Sequence, residues 1–154
     1  MHLHRRTRWM ISGLISGLMA TLAGTVAAAP PPPTPQQRYE RQLQACLRDP
    51  QYRVGGAATG ECLEAATATL DADIERRLQA LAAPRCAGVG AALAQAQQHW
   101  QQYRQIQCAA YQTMFDNTAM YLNGTACQLR VTLERQHELQ QLAALQPSLH
   151  PPCD

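Results

Sequence analysis

Apolar residues recur every three or four positions along three long segments of the chain, and no stretch shows the alternation of a β-strand. The clearest segment is 93–108, LAQAQQHWQQYRQIQC, where glutamines fill most of the polar face. One helical face of it holds the larger residues, with Ile106 beside them: Leu93, Ala96, Trp100, Tyr103 and Gln107. We therefore predict that this central helix is the organising core element and that Trp100 lies inside.

Two further periodic segments flank this central helix. Residues 60–82 predict a helix capped by Thr59, and residues 127–146 predict another, capped by Thr125 and ended by Pro147. A short helix is predicted at 38–47, and loops at 51–60, at 84–90 and at 116–126, which contains Asn123-Gly124. The predicted fold is all-α, a small antiparallel bundle of three longer helices plus a short N-terminal helix.

The first 28 residues have the features of a signal peptide. Arg5, Arg6 and Arg8 precede an apolar run at 9–26, and a small-residue cleavage site follows, with cleavage expected after Ala28. We favour cleavage over a membrane anchor because the run contains several glycines and leads into the alanine-rich site. Residues 29–37 are interpreted as a proline-rich spacer, 38–146 as the helical domain and 147–154 as a C-terminal tail carrying Cys153. The expected location is periplasmic or secreted, with no stable membrane anchor after cleavage.

Removal of the leader changes the charge balance. The whole chain has 13 basic and 11 acidic residues and a formal charge of +2. Three of the arginines lie in the leader, so the remaining domain is slightly acidic and has no basic stripe. A nucleic acid or an anionic membrane surface is therefore not expected as a partner.

The six cysteines are expected to form disulfides, because an even number in a small exported chain is typical of a stapled fold. Fifteen pairings are compatible with the sequence alone, and the helix order narrows them. Cys108 ends the central helix and Cys127 begins the next one, so both lie at the same end of the bundle. The first two cysteines, Cys46 and Cys62, reach that end as well. We predict the pairs Cys46–Cys62, Cys108–Cys127 and, at the opposite end, Cys86–Cys153.

No constellation of catalytic or metal-binding residues is evident after the leader. The single serine that follows the leader, Ser148, lies in the proline-flanked tail. The histidines that follow the leader are interpreted as surface or boundary residues. The cysteines lack the close Cys or His spacing of zinc or redox motifs. The sequence therefore predicts a protein that is not an enzyme and that needs no cofactor and no metal.

With these residues in hand, the chain resembles the LprI-type lysozyme-inhibitor domain family. The matches in the central helix are Leu93, Ala96, Gln97, Trp100, Tyr103, Arg104 and Cys108, whereas Gln105 replaces an acidic residue of the family pattern. Weaker matches lie at Cys46, Cys62 and Asp71 upstream and at Cys127, Thr132, Arg135 and Leu139 downstream. The resemblance implies a disulfide-stapled helical bundle exported by bacteria. It also suggests that Asp71, Arg104, Thr132 and Arg135 form a polar network that holds the bundle together.

The resemblance implies inhibition of lysozyme or of another peptidoglycan hydrolase, as an inhibitor or as an immunity protein. A lysozyme-type cleft carries two carboxyl groups, so an inhibitor is expected to present a rigid polar or cationic loop. Tyr52 and Arg53, between Cys46 and Cys62, are the first candidates for partner contact, and Arg85 is the second. The alternative is an accessory or structural envelope module that uses the same bundle for interaction without inhibiting anything.

Overall fold

The computed structural model describes residues 30–83, 87–114 and 119–145. Four helices account for most of them: α1 (Pro35–Arg48), α2 (Gly56–Ala82), α3 (Ala87–Thr113) and α4 (Met120–Leu145). No strand occurs within these ranges. The all-α prediction, with three long helices and one short helix, is confirmed. The leader, Arg85 and the pair Cys86–Cys153 lie outside the described residues. Among the described helices, none combines the length and the hydropathy needed to cross a bilayer.

The helix at the centre of the bundle is α4, and the prediction that the segment 93–108 organises the fold is wrong. α4 packs against all three other helices, whereas α1 and α3 do not touch each other in the described part of the chain. Each of the three apolar clusters contains at least one α4 residue, among them Leu129, Leu139 and Val131. α4 had a weaker apolar pattern in the sequence because its buried face also includes Thr132, Arg135 and Gln136.

The inner face of α3 is rotated by about one residue from the predicted one. Tyr103 is 55% exposed and Ile106 is 73% exposed, although the sequence predicts Tyr103 on the inner face and Ile106 beside it. Gln97, which follows Ala96 of the predicted inner face, is buried instead. Trp100 is half-buried between two apolar clusters rather than fully enclosed. The inner face follows Gln97, Trp100 and Arg104 because Arg104 bonds to groups on α2 and α4, which a hydrophobic pattern does not detect.

All four helix starts differ from the predicted ones, and α3 begins at Ala87, inside the predicted loop at 84–90. α1 begins at Pro35, inside the supposed spacer, because Thr34 and Gln37 form a capping box. Thr59 is buried in the first turn of α2, and its hydroxyl donates to the carbonyls of Tyr52 and Gly55. The predicted loop at Asn123-Gly124 is helical, and Thr125 lies within α4 and bonds to carbonyls of the preceding turn. Both threonines therefore bond backward along a helix and do not cap one.

Two of the predicted disulfides are present. Cys46–Cys62 joins α1 to α2 with a Cα–Cα distance of 5.8 Å. Cys108–Cys127 joins α3 to α4 with a Cα–Cα distance of 5.5 Å. In the chain-entropy picture, bridges across 16 and 19 residues each stabilise a fold by about 3 kcal/mol. The first bridge lies beside the connection between α1 and α2.

Candidate partner-binding site

The loop between α1 and α2 is held at both of its ends. The backbone N–H groups of Tyr52 and Arg53 donate to the carbonyl of Asp49, at 3.1 and 3.0 Å. The hydroxyl of Thr59 donates to the Tyr52 carbonyl at 2.9 Å. Gly55, with φ of 151°, lets the chain enter α2 in a conformation that other residues rarely adopt. The loop is thus anchored to α1 and to α2, with the Cys46–Cys62 bridge beside it.

Tyr52 and Arg53 have different positions in this loop. Tyr52 is half-buried, while Arg53 and Val54 are exposed, Val54 by 78%. Arg53 and Val54 therefore form the outer part of the loop, which we call the loop tip. The Tyr52 side chain instead lines one end of an open groove between α1, α2 and α4.

This groove, which we call the α1–α2 groove, has a volume of about 600 Å³. Apolar side chains of α2 and α4 line it, including Leu70, Leu129 and Leu133. Arg38, Arg41 and Gln42 of α1 line it from the other helix. The groove therefore combines an apolar lining with two guanidinium groups.

The arginines of the first part of the domain are not ion-paired. Residues 35–55 contain Arg38, Arg41, Arg48 and Arg53, and none of them forms a salt bridge in the described part of the chain. Every described arginine of the other helices does so: Arg76, Arg77, Arg104, Arg130 and Arg135. The unneutralised positive charge of the described domain is thus concentrated on α1 and the following loop.

The carboxylate linked to Arg38 through Gln136, that of Asp73, is already engaged by other donors. The guanidinium of Arg38 donates to the side-chain oxygen of Gln136, whose amide group donates to Asp73. Asp73 also accepts from Arg77 at 2.6 Å and from Arg76 at 3.1 Å. Burial, and to a smaller extent the nearby Arg41, lower the pKa of Arg38, while Asp73 acts in the opposite direction. An external anion at this position would relieve the repulsion between the two guanidinium groups.

The polar residues of the central motif form a separate network inside the bundle. Arg104 bonds to both carboxylate oxygens of Asp71, at 2.6 and 3.0 Å, and to the hydroxyl of Thr132 at 2.7 Å. Its guanidinium carbon lies 4.7 Å from the centre of the Trp100 ring, and that of Arg135 lies 5.9 Å from it. These contacts link α2, α3 and α4. Tyr103, which belongs to the same motif, points away from this network, as its exposure shows.

Comparison with models of protein families identifies a family for this chain. The family model for lysozyme inhibitor LprI matches residues 37–139, which is most of the described domain. The chain belongs to the LprI lysozyme-inhibitor family. No curated protein and no solved structure matches it significantly. The matched range includes all of the α1–α2 groove, the loop tip and the Arg104 network.

In this LprI-family chain, the sequence predicted Tyr52 and Arg53 as contact residues and did not point to Arg38 and Arg41, which the structure adds as candidates. A signal for them was present in the sequence. Arg41 has no acidic residue three or four positions away on either side, and Arg38 has none either, whereas Arg77 follows Asp73 by four. Charges without a helical partner are the ones left for other contacts. Arg85, the second predicted contact residue, lies outside the described part of the chain.

Proposed function

We propose that this LprI-family protein is an exported inhibitor of lysozyme or of a related peptidoglycan hydrolase, acting in the periplasm or outside the cell. Support comes from its family and from the concentration of unpaired arginines on α1 and the following loop. Glycoside hydrolases of this kind cleave with a pair of carboxyl groups in a cleft. A cationic, rigid projection is the complementary surface for such a cleft.

The loop tip is the element proposed to enter the cleft. Arg53 and Val54 are exposed, and the backbone bonds to Asp49 together with the bridge at Cys62 restrict the motion of the loop. A preorganised loop loses little conformational entropy on binding, which favours tight inhibition. Arg53 would form a charge-assisted hydrogen bond to a cleft carboxylate, and Tyr52 would support the loop from behind.

Inhibition is tested with purified domain, a c-type lysozyme and a turbidity assay on cell walls. The protein is expected to slow lysis in a saturable way. Replacing Arg53 with alanine is expected to weaken inhibition by at least about tenfold, because charged residues at an interface centre commonly contribute that much. An unchanged lysis rate at large inhibitor excess, with several wall hydrolases, would overturn the proposed function and favour a non-inhibitory envelope module.

A matched control is provided by Arg76 on α2. Its side chain is 71% exposed and bonds to Asp73, so Arg76→Ala removes the same charge from a surface where arginines are paired. This variant is expected to inhibit like the original protein. Equal losses for Arg53→Ala and Arg76→Ala would exclude the loop tip as the contact and leave only a general effect of charge.

A further inference from the structure

The shape of the α1–α2 groove limits what it can hold. It follows α2 over the nine residues from Cys62 to Leu70, a rise of about 12 Å along a helix. Ala65, Ala66 and Thr69 leave it open on the α2 side because their side chains are small. An extended peptide advances about 3.3 Å per residue, so the groove has room for roughly four residues.

The charges that line the groove select the occupant. Arg41 is exposed and donates no hydrogen bond or ion pair to any described residue, and Arg38 lies one helical turn before it. The carboxylates near them are engaged, since Asp73 accepts from two arginines of α2 and from the Arg38-bound Gln136. Glu40 accepts from Gln36. No acidic side chain lines the groove. A basic segment would be repelled there, and a neutral one would leave both guanidinium groups without an anion.

We propose that the α1–α2 groove binds a short acidic segment of the partner protein. A carboxylate of that segment bonds to Arg38 and Arg41, and an aliphatic side chain two residues away contacts the partly exposed Leu70 and Ala66. The identity of the partner as a wall hydrolase rests on the proposed function, whereas the chemistry of the groove does not. The groove contact is separate from the cleft contact of the loop tip and adds a second point of attachment, which makes the inhibitor selective among enzymes with similar clefts.

The groove is tested directly by nuclear magnetic resonance, with a labelled protein and two capped tetrapeptides. The first is Leu-Asp-Leu-Glu, and the second is its neutral counterpart Leu-Asn-Leu-Gln. At millimolar concentration the acidic peptide is expected to shift amide signals of α1 and of 62–70, and to bind at least about tenfold more tightly than the neutral one. Equal shifts from both peptides, or shifts outside the groove, would overturn the proposal. Soluble stem peptides of the cell wall are added as competitors. If they displace the acidic tetrapeptide at a lower concentration, the groove binds the cell wall and not a partner protein, and the proposal is overturned as well.

A second test uses an obstruction of the groove without a change of charge. Ala65 lines the groove and is exposed, so Ala65→Phe is expected to fill it without disturbing the core. Ala68 is exposed on the same helix but does not line the groove, and Ala68→Phe is the matched control. The first variant is expected to lose peptide binding and the second to keep it. Equal peptide binding by the two variants would refute the location.

The two variants also separate this proposal from the proposed function. If the original protein inhibits lysozyme and Ala65→Phe inhibits equally well, the groove proposal fails for that enzyme while the inhibitor function stands. If the original protein inhibits no hydrolase but binds the acidic peptide in the groove, the inhibitor function fails and the groove assignment stands. Circular dichroism spectra of both variants establish whether the helical bundle is retained.

Discussion

The ion pair between Asp71 and Arg104 allows a quantitative test of what holds the three long helices together. Its two hydrogen bonds join residues 33 positions apart, and the Arg104 side chain is 17% exposed while that of Asp71 is 39% exposed. At a separation of ~4 Å and an effective dielectric constant near 20, the direct attraction is about 4 kcal/mol. Removing Arg104 from water offsets a large part of it, and the exposure of Asp71 weakens it further.

We therefore expect a coupling free energy of about 1.5 kcal/mol, above the ~0.5 kcal/mol of a surface pair and below the value of a fully buried one. The measurement is a double-mutant cycle with Asp71→Ala, Arg104→Ala and the double variant, followed by urea unfolding with the disulfides intact. The Arg130–Glu134 pair is the control, since its side chains are 36% and 54% exposed and lie four residues apart on one helix. A coupling for Asp71–Arg104 no larger than that of the control pair would refute the interpretation of this network as an interhelical tie.

Three further outcomes are expected. Hydrogen bonds, that from Arg77 above all, hold the pKa of Asp73 below its ordinary 3.8. The stabilising contribution of Asp73 is therefore present at neutral pH and is lost as the pH falls through the lowered pKa. The difference in unfolding free energy between the original protein and Asp73→Asn, measured by urea unfolding, should be large at neutral pH and shrink in acid. A Cβ at Gly60 would lie 2.6 Å from the Tyr121 ring and 3.2 Å from the Thr125 hydroxyl, so Gly60→Ala should lower the unfolding free energy by about 1 kcal/mol. In a Tyr121→Ala background the loss should be clearly smaller, because the closest contact is gone and alanine is the better helix former. A loss of equal size in both backgrounds would contradict the steric explanation. Replacing both Cys46 and Cys62 with alanine should lower the unfolding free energy by about 3 kcal/mol. Inhibition should fall by more than the loss of folded protein explains, because the bridge no longer holds the loop tip. If inhibition instead follows the folded fraction alone, the bridge only stabilises the fold.

The fold was predictable because local signals agreed with one another. Helical periodicity placed α2 within a few residues of its observed bounds, and helix order together with cysteine position determined two of the disulfides. The boundaries at Thr59 and Thr125 were mispredicted because a threonine hydroxyl can cap a helix or bond backward within one, and sequence alone does not distinguish the two. The place of α4 at the centre was missed because part of its buried face is polar.

The candidate site was predictable only where it depended on the chain's own connectivity. The loop of Tyr52 and Arg53 follows from the cysteines on either side of it. The α1–α2 groove does not follow from the cysteines. To predict it, one would have to know the register between α1 and α2 and that the small Ala65 and Ala66 lie at the contact. Arg104 was assigned to an interior polar network only through the family resemblance, because its partners lie on two other helices and leave no signal in its own helix.

The position of α4 at the centre has a consequence for how the molecule is made. α4 is synthesised after α1, α2 and α3, yet each of those helices packs against it. Until residues 120–145 have emerged from the ribosome, Leu63 and Ile74 lack the α4 neighbours that help to bury them. The first three helices therefore reach their final packing only after the fourth has been made.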